Sequence, residues 1–180
     1  HKFDFKQSKL MPIHTPALSP CKRDRHAAVA HGAGIYTFGG YDGCYLLPDF
    51  WHYDPEQQRW LPVEGSRQTP TARHSHSGVE FNGSMYIFAG YDGEYRSDLY
   101  EFDSVHRKWS GVPVKGSAPK ARYRHSAAAC KNMMLVVGGC YGAKQLNDFH
   151  QFDFDAKVWS LIGPQGAVPG FPASPAREKH

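Results

Sequence analysis

The sequence predicts an all-β chain built as part of a β-propeller of four-stranded antiparallel blades, and three observations predict it. Residues recur with a period near 50, for His26, His76 and His125 stand at separations of 50 and 49. No segment longer than about ten residues keeps the 3.6-residue apolar period of a helix. The stretches IYTFGG, MYIFAG and MLVVGG are apolar at nearly every position, as strands covered on both faces are. Four-stranded sheets of this kind, repeated along a chain, stack face to face around an axis as blades.

Within the first copy, HAAVAH (26–31) is the first strand and turns at Gly32 to Gly34 into IYTFGG. After a YDG turn come DFWHYD (49–54) and a short strand around Trp60. The later copies place Asn82-Gly83 and Lys131-Asn132 at the first turn, which are hairpin signals. Every other anchor keeps register. Arg23, Arg73 and Arg122 precede each His by three residues, and Gly39-Gly40, Ala89-Gly90 and Gly138-Gly139 close each second strand. Asp49, Asp98 and Asp148 follow, then Tyr53-Asp54, Phe102-Asp103 and Phe152-Asp153, with Trp60, Trp109 and Trp159 seven residues past each aromatic. Residues 21–63, 71–112 and 120–162 are therefore expected to be three blades. Phe3-Asp4-Phe5 repeats Phe152-Asp153-Phe154, with Leu10 in the place of the Trp, so 3–13 is expected to be the outer half of a preceding blade. Arg177 and His180 repeat the opening R-x-x-H, making 163–180 a linker and the start of a next blade. Propellers close with about four to eight blades, and the chain is expected to be a piece of something larger.

The paired glycines, the aromatic seven residues before a Trp and the 50-residue period resemble kelch repeats. The leading P-x-x-R-x-x-H, at Pro20 to His26, Pro70 to His76 and Pro119 to His125, together with GYDG, is similar to kelch segments of the leucine-zipper-like regulator group. The resemblance covers residues 3–180. It implies a protein–protein interaction module, for example the substrate-recognition part of a ubiquitin-ligase adaptor or a scaffold. Two alternatives stand beside it: a structural unit of a large assembly, and a kelch-type oxidoreductase or metal enzyme whose site lies in other blades.

Composition narrows the classes. The chain has 180 residues, 41% hydrophobic, with a formal charge of +4, too little to argue for nucleic acid. Cys21, Cys44, Cys130 and Cys140 form no CxxC pair, which reads as reduced thiols in the cytoplasm or nucleus. No apolar run approaches the roughly 20 residues of a membrane helix, and no membrane partner is expected. GxSxG, P-loop and HExxH motifs are lacking. Kelch-type copper oxidases use a cysteine-linked tyrosine, and nothing in the sequence marks such a pair. Kelch-type iron sites read E-x-x-x-D-x-x-x-H; Glu94 and Asp98 match, but Phe102 stands in place of the His. No catalytic residue, metal, cofactor or small-molecule substrate is expected.

The repeated residues read first as architecture. Paired glycines allow close blade approach or positive φ; the Trp and the earlier aromatic fill the space between blades. Asp49, Asp98 and Asp148 are expected to accept turn N–H groups, and the three histidines to be buried hydrogen-bonding groups. A binding face follows from topology. The loops entering each blade and the loops between second and third strands emerge on one side, and together they carry a net charge near +7. Their arginines and tyrosines match interface hot spots. The candidate partner-binding residues are Lys22, Arg23, Arg25, Tyr41, Tyr45, Arg73, Tyr91, Tyr95, Lys120, Arg122, Arg124 and Tyr141. For Arg23, Arg73 and Arg122 a second reading stays open, in which each only tethers its loop to a neighbouring carbonyl or Asp. The partner is expected to be a protein with an acidic segment.

Overall fold

The structure is a computed structural model that describes residues 1–13 and 18–163. The expected linker and blade start at 163–180 lie, from 164 on, outside the described residues. Among the described residues there are seventeen strands and no helix. A hairpin of β1 (Lys2–Asp4) and β2 (Lys9–Met11) comes first. The first blade has the order β3 (Ala27–His31), β4 (Gly34–Phe38), β5 (Phe50–Asp54), β6 (Arg59–Pro62). The second has β7 (Ser77–Phe81), β8 (Ser84–Tyr91), β9 (Tyr95–Asp103) and β10 (Lys108–Gly111). In the third, β12 (Ser126–Cys130), β13 (Met133–Val137), β16 (Phe149–Asp153) and β17 (Val158–Leu161) repeat this order. Each blade is an antiparallel meander, and the backbones of neighbouring blades approach most closely at the first strands β3, β7 and β12.

The turns explain the registers. His31 pairs with Gly34, Phe81 with Ser84 and Cys130 with Met133, leaving two-residue loops. Their first residues, Gly32, Asn82 and Lys131, hold φ of +56°, +47° and +54°, the sign that matches the strand twist in tight hairpins. Between third and fourth strands the same turn is written four times: Gln58, Arg107 and Lys157 sit at φ +49°, +53° and +56°, and Ser8 at +48°. Asp4, Asp54, Asp103 and Asp153 each accept two backbone N–H groups of these turns through Oδ1. Phe3 pairs with Leu10 as Tyr53 does with Trp60, so the first hairpin has the geometry of a third–fourth strand pair. Its Met11 and Ile13 line a cleft with Ile35 and Tyr53 of the first blade.

The buried apolar residues of the three blades sort into two layers, one between each pair of adjacent blades. Ala27, Val29, Phe38 and Phe50 of the first blade pack on Met85, Ile87, Phe102 and Trp109 of the second. Val79, Tyr86, Phe88 and Leu99 of the second pack on Met134, Val136, Phe152 and Trp159 of the third. Trp109 and Trp159 are 3% and 1% exposed, each removing roughly 150–250 Å² from water as the sequence leads one to expect. Trp60, at the equivalent place, is half-buried, with its ring 5.1 Å from that of Tyr53.

The glycine pairs do both things asked of them. Gly39 and Gly40 have φ of +65° and +105°, and Gly138 and Gly139 have +63° and +93°. A Cβ on Gly39 would lie 2.6 Å from the Arg73 carbonyl of the next blade, and one on Gly90 2.8 Å from His76 Cβ of its own blade. The second glycine also bridges blades, because Gly40 N–H donates to Arg73 O and Gly90 N–H to Arg122 O, both at 2.9 Å.

The outer edge holds an element that the periodicity did not reveal. Lys115 and Gly116 form β11, which pairs in parallel with Val158 and Trp159 as a fifth strand of the third blade. The preceding connection behaves alike: Ser66 Oγ takes the N–H of Trp109 at 3.1 Å and reaches its carbonyl at 3.3 Å. Both connections cover a strand edge that would otherwise present free N–H and C=O groups.

Candidate partner-binding face

The loops predicted to share one side do so by hydrogen bonding. Each loop entering a blade bridges to the loop between its second and third strands: Asp24 to Tyr41, His74 to Tyr91, and Tyr123 to Cys140. The third of these inner loops is itself a small hairpin of β14 (Cys140–Tyr141) and β15 (Lys144–Gln145). Adjacent entering loops are joined across blades, with Ser75 N–H donating to Arg25 O at 2.8 Å and Arg124 N–H to Ser75 O at 3.0 Å. Arg25, Ser75 and Arg124 occupy equivalent positions at φ of +54°, +55° and +56°. Hence the two arginines stand outward on a fixed backbone, both exposed.

A chain of rings runs over this side. Tyr41 meets His74 edge-on at 6.1 Å between centroids, His74 stacks on Tyr91 at 5.5 Å, and Tyr91 lies 5.2 Å from Tyr95. Tyr95 then touches Tyr123 at 5.3 Å and Tyr141 at 5.0 Å. The Arg25 guanidinium lies 5.8 Å from the Tyr41 ring and that of Arg124 5.1 Å from Tyr123, within reach of a cation–π attraction. Tyr45 stands apart from the chain at 73% exposure. Neither His74 nor Tyr123 is among the partner-binding residues expected from the sequence, although both occupy the position directly after the repeated Arg, where Asp24 stands in the first copy.

Beneath the rings lie the repeated arginines. Arg23 binds both oxygens of Asp49 at 2.6 and 2.8 Å, Arg73 those of Asp98 at 2.6 and 3.0 Å, and Arg122 those of Asp148 at 2.8 and 2.7 Å. The same guanidinium donates to the carbonyl of Gly39, Ala89 or Gly138 at the end of the second strand. Planar, bidentate pairing with additional carbonyl acceptors is what makes a buried arginine tolerable. Of the two readings open for these residues, the geometry answers to the tether; Arg73 and Arg122 are 1% and 0% exposed and offer nothing to a partner. The aspartates are corrected with them: they accept from arginine, while the turn N–H groups go to the other repeated Asp. Trp51, Tyr100 and His150, two residues past each Asp, lean on the pair in turn. Trp51 Nε1–H donates to Asp49 at 2.6 Å, the Tyr100 ring lies 5.6 Å from the Arg73 guanidinium, and His150 Nε2 is 3.0 Å from Asp148. Hydrogen bonds from Arg122 hold the Asp148 carboxyl at a pKa of about 2. At Asp49 burial works upward, yet Arg23 and Trp51 bring the net shift below the usual value.

The histidines also depart from expectation. His76 and His125 are buried, but neither ring nitrogen of His76 has a partner in the protein, and His125 has one, Ser77 Oγ at 2.8 Å from Nε2. Both sit edge-on to a phenylalanine of the preceding blade, Phe38 at 5.5 Å and Phe88 at 5.4 Å. They act as flat packing surfaces. Burial, with the nearby Arg73, pushes His76 down to about 3, and burial beside Arg122 takes His125 to about 4. His26 is exposed, since no such ring faces it among the described residues.

The charge of the face is smaller than the sequence count of about +7. Three of its cations are held by Asp49, Asp98 and Asp148. Glu64, Arg67 and Lys115 belong to the connections along the outer edges, and 177–179 fall outside the described residues. What remains is six cations, Lys22, Arg25, Arg96, Lys120, Arg124 and Lys144, against four acids, Asp24, Asp42, Asp92 and Glu94, a net of +2.

Among the described residues no group of three or more His, Cys, Asp and Glu side chains is placed to hold a metal ion, and no helix is long and apolar enough to cross a membrane. The four cysteines are unpaired. A search of curated proteins gives no match. The family model of the KLHDC2/KLHL20/DRC7 Kelch-repeats domain, in contrast, matches residues 1–139 and 62–177. The stacked four-stranded antiparallel sheets are consistent with that match. The chain belongs to the kelch-repeat family, whose blades serve as protein–protein interaction modules.

Proposed function

We propose that the chain binds a protein partner through the loop face, and that the partner offers an acidic segment. The observation that carries this is the unbroken line of rings from Tyr41 to Tyr141, flanked by exposed Arg25 and Arg124. Aromatic rings give large contact area at low entropic cost, while rim cations speed and orient encounter. Such a face suits substrate recognition in a ubiquitin-ligase adaptor or a scaffold of the cytoplasm or nucleus. The kelch match supports the interaction module, and the ring line supports its placement.

The test is association kinetics with a natural partner, identified by proximity labelling in cells. Tyr45→Ala and Tyr141→Ala, both exposed, are expected to speed dissociation by about 5- to 150-fold where they are hot spots. Arg25→Glu and Arg124→Glu are expected to slow association and flatten its salt dependence. Four folded variants that bind as the parent does place the contact elsewhere.

A further inference from the structure

The loop face is not uniform along its length. In the first blade Lys22 and Arg25 are matched by Asp24 and Asp42. In the second, Arg96 is held by Asp92 at 2.8 Å and by Glu94 at 3.2 Å. The third carries Lys120, Arg124 and Lys144, all exposed, with no acid in its two loops. Aligning the copies shows how this arises. The residue two past the second glycine is Asp42, Asp92, then Tyr141; the residue five past it is Tyr45, Tyr95, then Lys144. One exchange removes an acid and the other adds a base.

Two of the three cations line one cleft, and the third lies at the end of the ring line that leads to it. Lys120, Tyr141 and Lys144 line a cleft of about 380 Å³ together with Leu146. On its inner side Tyr141 continues through Tyr95 to Tyr123, over which the Arg124 guanidinium lies. Asp148 also borders the cleft, but its carboxylate is taken up by Arg122 and His150.

We propose that the face is polar, with its anion-accepting end on the third blade: an acidic peptide segment lies across Tyr95, Tyr123 and Tyr141 and directs its carboxylates to Lys120, Arg124 and Lys144. The first two blades then receive the less charged part of the same partner. Charge complementarity selects this occupant, because three cations without a local acid repel any cationic segment and steer an anionic one. The inference rests on the loop face being the binding surface and adds its direction.

A fluorescent peptide of repeating Glu-Glu-Leu, with a Gln-Gln-Leu control, tests it on the full chain by anisotropy and by amide shifts. Binding is expected for the Glu peptide alone, with shifts gathered in 120–124 and 140–147. The combined variant K120E/R124E/K144E is expected to weaken it about tenfold or more, and K22E/R25E by less than about twofold. Equal losses in the two variants, equal binding of both peptides, or tighter binding of single-stranded RNA at the same residues each overturn the proposal. Failure here, with natural partners still lost in Tyr45→Ala and Tyr141→Ala, removes the direction and leaves the face. Failure of both removes the face.

Discussion

The guanidinium of Arg73 and the carboxylate of Asp98, 25 residues apart in sequence, meet through two parallel hydrogen bonds under the loop face, with Arg73 only 1% exposed. This pair and its two copies tie the entrance of each blade to the start of its third strand. Arg73→Met leaves Asp98 and the Ala89 carbonyl without a donor. A loss of about 2–4 kcal/mol is expected, because breaking one side of a buried pair costs more than the pair contributes. At about 2–4 °C per kcal/mol for a chain of this size, the melting temperature should fall by roughly 5–15 °C. Thermal unfolding of Arg73→Met beside the exposed control Arg25→Met checks it, and equal melting temperatures would contradict it.

At the end of the second strand of the middle blade, Ala89 and Gly90 differ in what they tolerate. Gly90 holds φ +102° with His76 Cβ and the His74 carbonyl within 2.9 Å of where a Cβ would be. Gly90→Ala is expected to cost about 2 kcal/mol or more. Ala89→Gly, which restores the residue seen at Gly39 and Gly138, gives up a buried methyl but relieves φ +57°. It should stay within about 1 kcal/mol of the parent. Chemical denaturation of the two variants gives both numbers.

Acid should loosen the blade interfaces before the carboxylates protonate. The folded values of about 3 for His76 and about 4 for His125 lie below the ordinary 6.5. The unfolded chain therefore binds more protons in between, and stability falls as pH drops from 6.5 toward those values. The slope is up to about 1.4 kcal/mol per pH unit for each histidine. His26, His52 and His74 shift in the same direction. Melting temperature against pH should decline from pH 6.5 to 4.5 and less so in His76→Phe. A flat profile for the parent would falsify this.

The outward side of the third blade carries Val137, 47% exposed, where the middle blade has Phe88 at 0%. No further sheet packs there among the described residues. Residues 1–180 expressed as such should be marginally stable or self-associate through this face. Val137→Glu should raise the monomer fraction seen by sedimentation velocity. A monodisperse monomer from the parent at micromolar concentration would refute the expectation.

How far the sequence reveals these features depends on what a period can encode. The spacing of His, Gly-Gly, Asp and Trp located the four antiparallel strands of each sheet but not the added strand Lys115–Gly116, because each repeated residue has one backbone or packing duty and the connection carries none. It did not tell that Arg23 and Asp49 are partners, since two positions with one period are in register whether or not they touch. The same limit hid the role of His74 and Tyr123, which break the period and are for that reason on the variable surface. The charge count overstated the face because sequence cannot show that Arg73 and Arg122 spend their charge internally. His26 shows the complementary failure: identical residues match in space only where their neighbours match too.

The strand Lys115–Gly116 places the connection of the second and third blades on the blade it is about to enter, and Ser66 does the same one repeat earlier. His150 Nδ1 and the Trp159 carbonyl both reach Ser117, at 3.1 and 2.9 Å. The exchangeable cassette of this architecture is consequently offset from the visible motif, opening near Glu64 or Val114 instead of at the R-x-x-H. Grafts, duplications or split-protein junctions cut just before the arginine would strand each clasp on the wrong fragment, whereas cuts after Val63 or Val112 keep every blade with its own outer fastening.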